Sequence, residues 1–159
     1  MRKLLNKFKE KIYVDDLRKV LIYSGAYMLA FSILAGALQY LAFSLVNIGF
    51  GLLIYLFAYM IGKEIRDRIF NYHILYSVIG VIFFFIGFLI YNISLWSFAT
   101  HNISAGLNLI LSAGGIKYVV FDFLNFSNYQ GVNILNNILD IFLIVFCVIT
   151  VWKLPESKK

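Results

Sequence analysis

The chain is poor in the residues on which a water-soluble domain relies. Charged residues fill only 14% of its 159 positions, against about 25% in an ordinary soluble domain, which excludes a globular protein with a solvated surface. A single proline, with no low-complexity tract, excludes a disordered chain or a Pro-rich linker. The single cysteine, Cys147, stands inside an apolar run and excludes both an internal disulfide and a cysteine-based zinc site. The two histidines, His73 and His101, fall at opposite ends of one apolar segment, so they cannot share a metal. HExxH, GxSxG, a Gly-rich phosphate loop and paired carboxylates within an apolar run are all missing. An enzyme reading therefore lacks a nucleophile with a base, and no cofactor or metal is expected.

Apolar side chains are what the sequence has in excess. Hydrophobic residues make up 62% of it, aromatic residues 18%, and the mean hydropathy is +0.84. Such a chain needs an apolar environment outside as well as inside, and the reading is a small, all-α, polytopic membrane protein forming one integral domain over residues 1–159.

The gaps between charges set the spans. Residues 20–62 carry no charge, roughly twice the 20 or so residues that one spanning helix needs. Turn chemistry within that run is confined to 44–49, with Asn47 and Gly49, which predicts spans over 20–43 and 48–62 joined by a short outer connection. A third span is expected over 72–95. A fourth, over 134–152, ends on Lys153 as a basic anchor and Pro155 as a helix stop. The first apolar stretch is longer than a signal-peptide core and is expected to stay as an anchor.

Thirteen of the 14 Lys and Arg lie in 1–19, 63–68 and 153–159, with Lys117 alone between the third and fourth spans. This bias predicts both termini and the 63–68 connection on the cytoplasmic side. The net charge of +6 is thus a topology signal, and nucleic acid is not needed to explain it. Tyr23, Tyr27, Tyr72, Tyr76 and Trp152 fall near inner ends, and Tyr40, Tyr91 and Trp96 near outer ends, as interfacial aromatics should. The mixed charges Lys63, Glu64, Arg66, Asp67 and Arg68 read as a solvated turn.

Two regions outside the spans are expected to be helical. In 1–14, Leu4, Phe8 and Ile12 recur at helical spacing opposite Arg2, Lys3, Lys7, Lys9 and Lys11, a basic amphipathic helix suited to anionic inner-leaflet lipids. Asp15 or Asp16 is expected to cap the first span. The 96–133 segment is too long for a structureless loop. Stripes at Ile103, Leu107, Ile110 and Leu111, and at Ile116, Val119, Val120, Phe123 and Leu124, flank Gly114 and Gly115 and predict two short external helices, interfacial or re-entrant. The Asn-Xaa-Ser triplets at 92, 102 and 125 are discounted as glycosylation sites, because the Asn-, Ile-, Lys- and Phe-rich composition points to a bacterial cytoplasmic membrane.

Helices in lipid associate through small residues that let backbones approach. His73, Gly80, Gly87 and Ser94 recur every seven residues, and Ser32 with Gly36 and Ala58 with Gly62 form small-xxx-small pairs. The expectation is an antiparallel four-helix bundle with both ends in the cytoplasm. No internal repeat supports an inverted-repeat transporter.

Asn133, Asn136, Asn137 and Asp140 form one polar stripe on the fourth span, which Cys147 continues, with Gln39 and Lys117 as polar neighbours. An ionisable residue within a span is costly unless paired or hydrated. Two readings stand: a structural group satisfied inside the bundle, or a contact for ligand, ion or partner. They correspond to two functions. One is a non-enzymatic accessory, regulatory or protective module that works through contacts with a membrane complex. The other is an oligomeric solute or ion transporter or channel component.

Overall fold

A computed structural model describes residues 12–46, 51–111 and 132–157. It is all-helical, with no strand among these residues. Helix α1 (Val14–Lys19) runs through a π-turn at Val20–Ser24 into α2 (Gly25–Val46); α3 is Gly51–Arg68, α4 Ile74–Thr100, α5 Ile103–Leu111 and α6 Val132–Glu156. Among the described residues, two stretches, Val14–Ala42 and Ile74–Thr100, are long and apolar enough to cross a membrane. Only 33% and 39% of their most apolar windows are buried, unlike the core helix of a soluble protein. Leu29, Ile33, Leu34, Leu38 and Leu41 of α2 and Ile82, Phe85 and Ile86 of α4 are among the apolar side chains left on the outside.

The helices overrun the boundaries set by charge. Helix α3 starts at Gly51 and continues through the charged stretch to Arg68, which is not a turn. Its last turns are held by a Glu64–Arg68 ion pair at 2.7 Å, four residues apart, while Ile65 between them is fully buried. A pair at that spacing supports helix, and one buried side chain gives the segment an inner face. Helix α6 likewise runs past Lys153 and includes Pro155 in its last turn. The helix ends one residue later, where the Ser157 amide donates to the Lys153 and Leu154 carbonyls. The 47–50 turn, the basic segment 1–11, the second external helix at 116–124 and Lys117 lie outside the described residues.

Packing pairs differ from a simple order of sequence neighbours. The two most extensive contacts are α2 with α4 and α3 with α6. Both pairs run parallel: Gly25 lies by Phe83 and Gly36 by Tyr91 and Ser94, while Tyr55 lies by Phe146 and Gly62 by Leu154. Consecutive α3 and α4 are antiparallel, with Phe57 against Gly87 and Ile65 against Gly80. Close approach explains the α2–α4 pairing. A β-carbon at Gly36 would lie 2.7 Å from the Tyr91 carbonyl oxygen, a separation that only glycine permits. Ser94 Oγ then donates to the Ile33 carbonyl at 2.9 Å, a polar bond between the two helices. The core joins Met28, Phe57, Ala58, Ile61, Ile65, Phe84, Cys147 and Val151 from all four long helices.

Candidate functional site

Of the four described side-chain hydrogen bonds that reach across more than fifty residues, three lie where α1, residues 69–73 and the last turns of α6 come together. Asp16 is the first surprise. The N-cap of α1 is Tyr13, whose side chain makes no capping bond, and both Asp15 and Asp16 fall inside the first helical turn. The expected carboxylate cap is therefore absent, because the helix begins one residue before the pair. Asp16 is instead 6% exposed and accepts the Phe70 amide at 2.6 Å. A short bond from amide to carboxylate is of the stronger, charge-assisted kind. It ties α1 to the connection between α3 and α4.

Further bonds extend this joint. Tyr76 Oη donates to the Tyr13 carbonyl at 3.5 Å, and Ser77 Oγ donates to the Trp152 carbonyl at 2.8 Å, with Tyr72 Oη 3.1 Å from the same serine. Arg68 lies with its guanidinium carbon 4.9 Å from the centre of the Tyr23 ring, within cation–π range. The cations at 18–19, 63–68 and 153 thus meet at one end of the helix assembly, its basic end.

His73 opens α4 from extended backbone, with φ −133 and ψ 144, and its Nδ1 accepts the Leu75 amide at 3.1 Å. A ring nitrogen that accepts is unprotonated, so the neutral ring carries its hydrogen on Nε2. That nitrogen is buried and has no partner among the described residues, and the same holds for Ser24 Oγ and Ser97 Oγ. Ser77 is already committed to a carbonyl, so it is not held as a nucleophile. No group of three or more His, Cys, Asp or Glu able to hold a metal occurs among the described residues.

The polar stripe lies elsewhere. Positions 133, 136, 137 and 140 belong to the first half of α6, and their side chains are outside the described set. Their register is informative even so. Positions 133, 140, 147 and 154 follow one another at heptad spacing; Cys147 is fully buried and Leu154 packs on Gly62 of α3. Asn133 and Asp140 therefore occupy the line of α6 that, further along, turns toward the other helices. Gln39 is 7% exposed in α2.

The small residues marked in the sequence lie at helix contacts. Gly87 meets Phe57 and Ser32, Gly80 meets Val151, Gly62 meets Val151 and Leu154, Gly36 meets Ser94, and Ala58 is fully buried. His73 shares their spacing but precedes the helix as its cap. Local pattern offers Asp16 only as a helix cap and gives no sign of its bond to the Phe70 amide, since that partnership spans 54 residues. Comparisons with protein-family models, with curated proteins and with solved structures find no match.

Proposed function

We propose that the protein is a four-span module of a bacterial cytoplasmic membrane, with both termini and the 63–68 segment cytoplasmic, acting without catalysis through contacts with a larger membrane complex. The observation that carries this reading is the convergence of cation-rich stretches on one polar joint, cross-tied by Asp16 to Phe70 and by Ser77 to Trp152. Cations gathered at one end of an apolar helix assembly suit the cytoplasmic side of a bilayer, and a cross-tied end offers a fixed surface to a partner. Exposed apolar side chains along α2 and α4 support a lipid environment. The test is purification in mild detergent followed by native mass spectrometry. A stoichiometric, unrelated membrane partner is the expected result, and a pure homo-oligomer carrying a bound solute would overturn it.

A second reading, an oligomeric transporter or channel component, is favoured by one observation: Asp140 shares the register of buried Cys147. A carboxylate within a membrane helix is a candidate for proton or cation handling. On this reading Asp140→Asn abolishes flux in proteoliposomes while leaving expression and fold unchanged. Flux that is unaltered in Asp140→Asn across pH 5 to 8 would remove the carboxylate from any transport role.

A further inference from the structure

The basic end contains a cleft that the polar joint does not use. It measures about 370 Å³ and is lined, among the described residues, by Asp15, Arg18, Lys19, Ile22 and Tyr23. These residues straddle the change from α1 to the π-turn. In a regular α-helix, residues five apart such as Arg18 and Tyr23 point well away from each other. The wider turn brings Tyr23 round to line the same cleft as Arg18, in keeping with the frequent placement of such turns at functional sites.

The electrostatics are selective. Arg18 and Lys19 are exposed and make no ion pair among the described residues. The neighbouring carboxylate of Asp16 is turned away from them, buried on the Phe70 amide. Arg68 stands over Tyr23 with Nε and Nη2 both on Glu64, at 2.8 and 2.7 Å, so that pair adds no net charge. Asp15 offsets one of the two remaining cations, which leaves the described lining of the cleft with a single excess positive charge. Ile22 in its wall, and Leu21 next to it in the chain, are exposed and apolar. A cationic lip above an apolar wall matches the boundary between lipid headgroup and acyl chain.

We propose that this cleft is a binding site for one anionic glycerophospholipid of the cytoplasmic leaflet, its single phosphodiester held by Arg18 and Lys19 and its glycerol backbone resting on Ile22 and Tyr23. The excess of one charge fits one phosphodiester, and a headgroup ammonium would be repelled by the same two cations. This rests on the membrane reading above, and goes beyond it by naming a defined site and ligand class.

The test is native mass spectrometry of the full chain, released from detergent after incubation with dioleoyl phosphatidylglycerol, phosphatidylethanolamine or phosphatidylcholine. The wild type is expected to retain one phosphatidylglycerol in preference to the other two. Arg18→Gln/Lys19→Gln should lower that retention about five-fold or more, since each interfacial cation contributes roughly that factor. Arg66→Gln/Lys153→Gln, which removes the same charge from the same end outside the cleft, should retain the lipid to within about two-fold of the wild type, because its lost charges act only at a distance. Circular dichroism keeps folding separate from binding, and neither cleft side chain has a bond whose loss would unfold the helix. Equal retention by wild type and Arg18→Gln/Lys19→Gln overturns the site. An equal fall in both double variants overturns it too, in favour of diffuse attraction, and phosphatidylethanolamine bound as well as phosphatidylglycerol overturns the ligand. Recovery of the chain in the aqueous fraction after alkaline carbonate extraction would instead strike the membrane reading itself.

Discussion

Helix α4 begins and ends on a histidine, and the two ends are built in opposite ways. At the basic end His73 is buried, extended, and works through its side chain, accepting the Leu75 amide. At the far end His101 is exposed and left-handed, with φ 52, and works through its backbone amide, which donates to the Phe98 carbonyl. The bonds around the two differ in reach. Near His73, Asp16 holds Phe70 and Ser77 holds Trp152, each across more than fifty residues. Near His101 the partners are local: the Asn102 amide donates to Ser97, and Asn102 Oδ1 accepts both the Ser104 amide and its hydroxyl, starting α5. Long-range polar bonds fix the basic end, whereas turn chemistry and one close approach, Gly106 against the Ile93 carbonyl, fold α5 back on the other.

Opening the seam between the ends should have the largest effect. Gly36→Leu forces a side chain into the Tyr91 carbonyl and Ser94, and is expected to cost about 3 kcal/mol, the upper part of the usual range for overpacking. Gly25→Ala is the control, because its nearest contact would be Phe83 at 3.5 Å, an ordinary separation. Thermal unfolding in detergent should separate the two variants widely. Similar midpoints would show that the α2–α4 contact does not hold the fold.

Breaking the long-range bonds comes next. Asp16→Ala strands the Phe70 amide and should cost about 1 to 3 kcal/mol. Ser104→Ala at the far end, where the hydroxyl is exposed, should stay within about 0.5 kcal/mol. Unfolding midpoints and the rate of proteolysis at 68–73 report on both. A loss in Ser104→Ala as large as that in Asp16→Ala would erase the contrast between the ends.

The same contrast explains what could be read from the residues. Small side chains at heptad spacing, such as Gly80, Gly87 and Ser94, identify a helix face, because only they allow backbones to touch. Spacing does not name the partner: nothing in the sequence pairs Gly36 with Ser94 rather than with α3. The stripe over Ile103, Leu107, Ile110 and Leu111 marks α5, observed at Ile103–Leu111, since its periodicity and its Asn102 cap are both local. Asp16 misleads for the converse reason. A carboxylate just before an apolar run resembles a cap, and only the folded chain shows that its acceptor capacity goes to a distant amide. The charged stretch 63–68 looks like a turn for as long as the burial of Ile65 is unseen.

His73 gives a smaller, directional effect. His73→Ala removes the acceptor for the Leu75 amide and should cost about 1 kcal/mol, the usual value of a cap. His73→Asn keeps an acceptor on a short side chain that favours this position, so it should recover most of that loss. If Asn melts with Ala, the side-chain bond is not what stabilises the start of α4.

His101→Gly should have the smallest effect, and in the opposite direction. A left-handed residue with a β-carbon costs about 1 to 2 kcal/mol, which glycine avoids. Glycine also loses more backbone freedom on folding, and the exchange removes the edge contact between His101 and Tyr40, whose ring centres are 6.5 Å apart. These terms partly cancel, leaving an expected gain of up to about 0.5 kcal/mol, within the ordinary range for an exposed site. The sign is what matters, because a gain means that His101 serves the helix end through its backbone conformation alone. The measurement is the unfolding midpoint of His101→Gly beside His101→Ala, which keeps the β-carbon while losing the ring. A drop shared by both would assign the stabilisation to the ring on Tyr40, and the two histidines would then both act through their side chains.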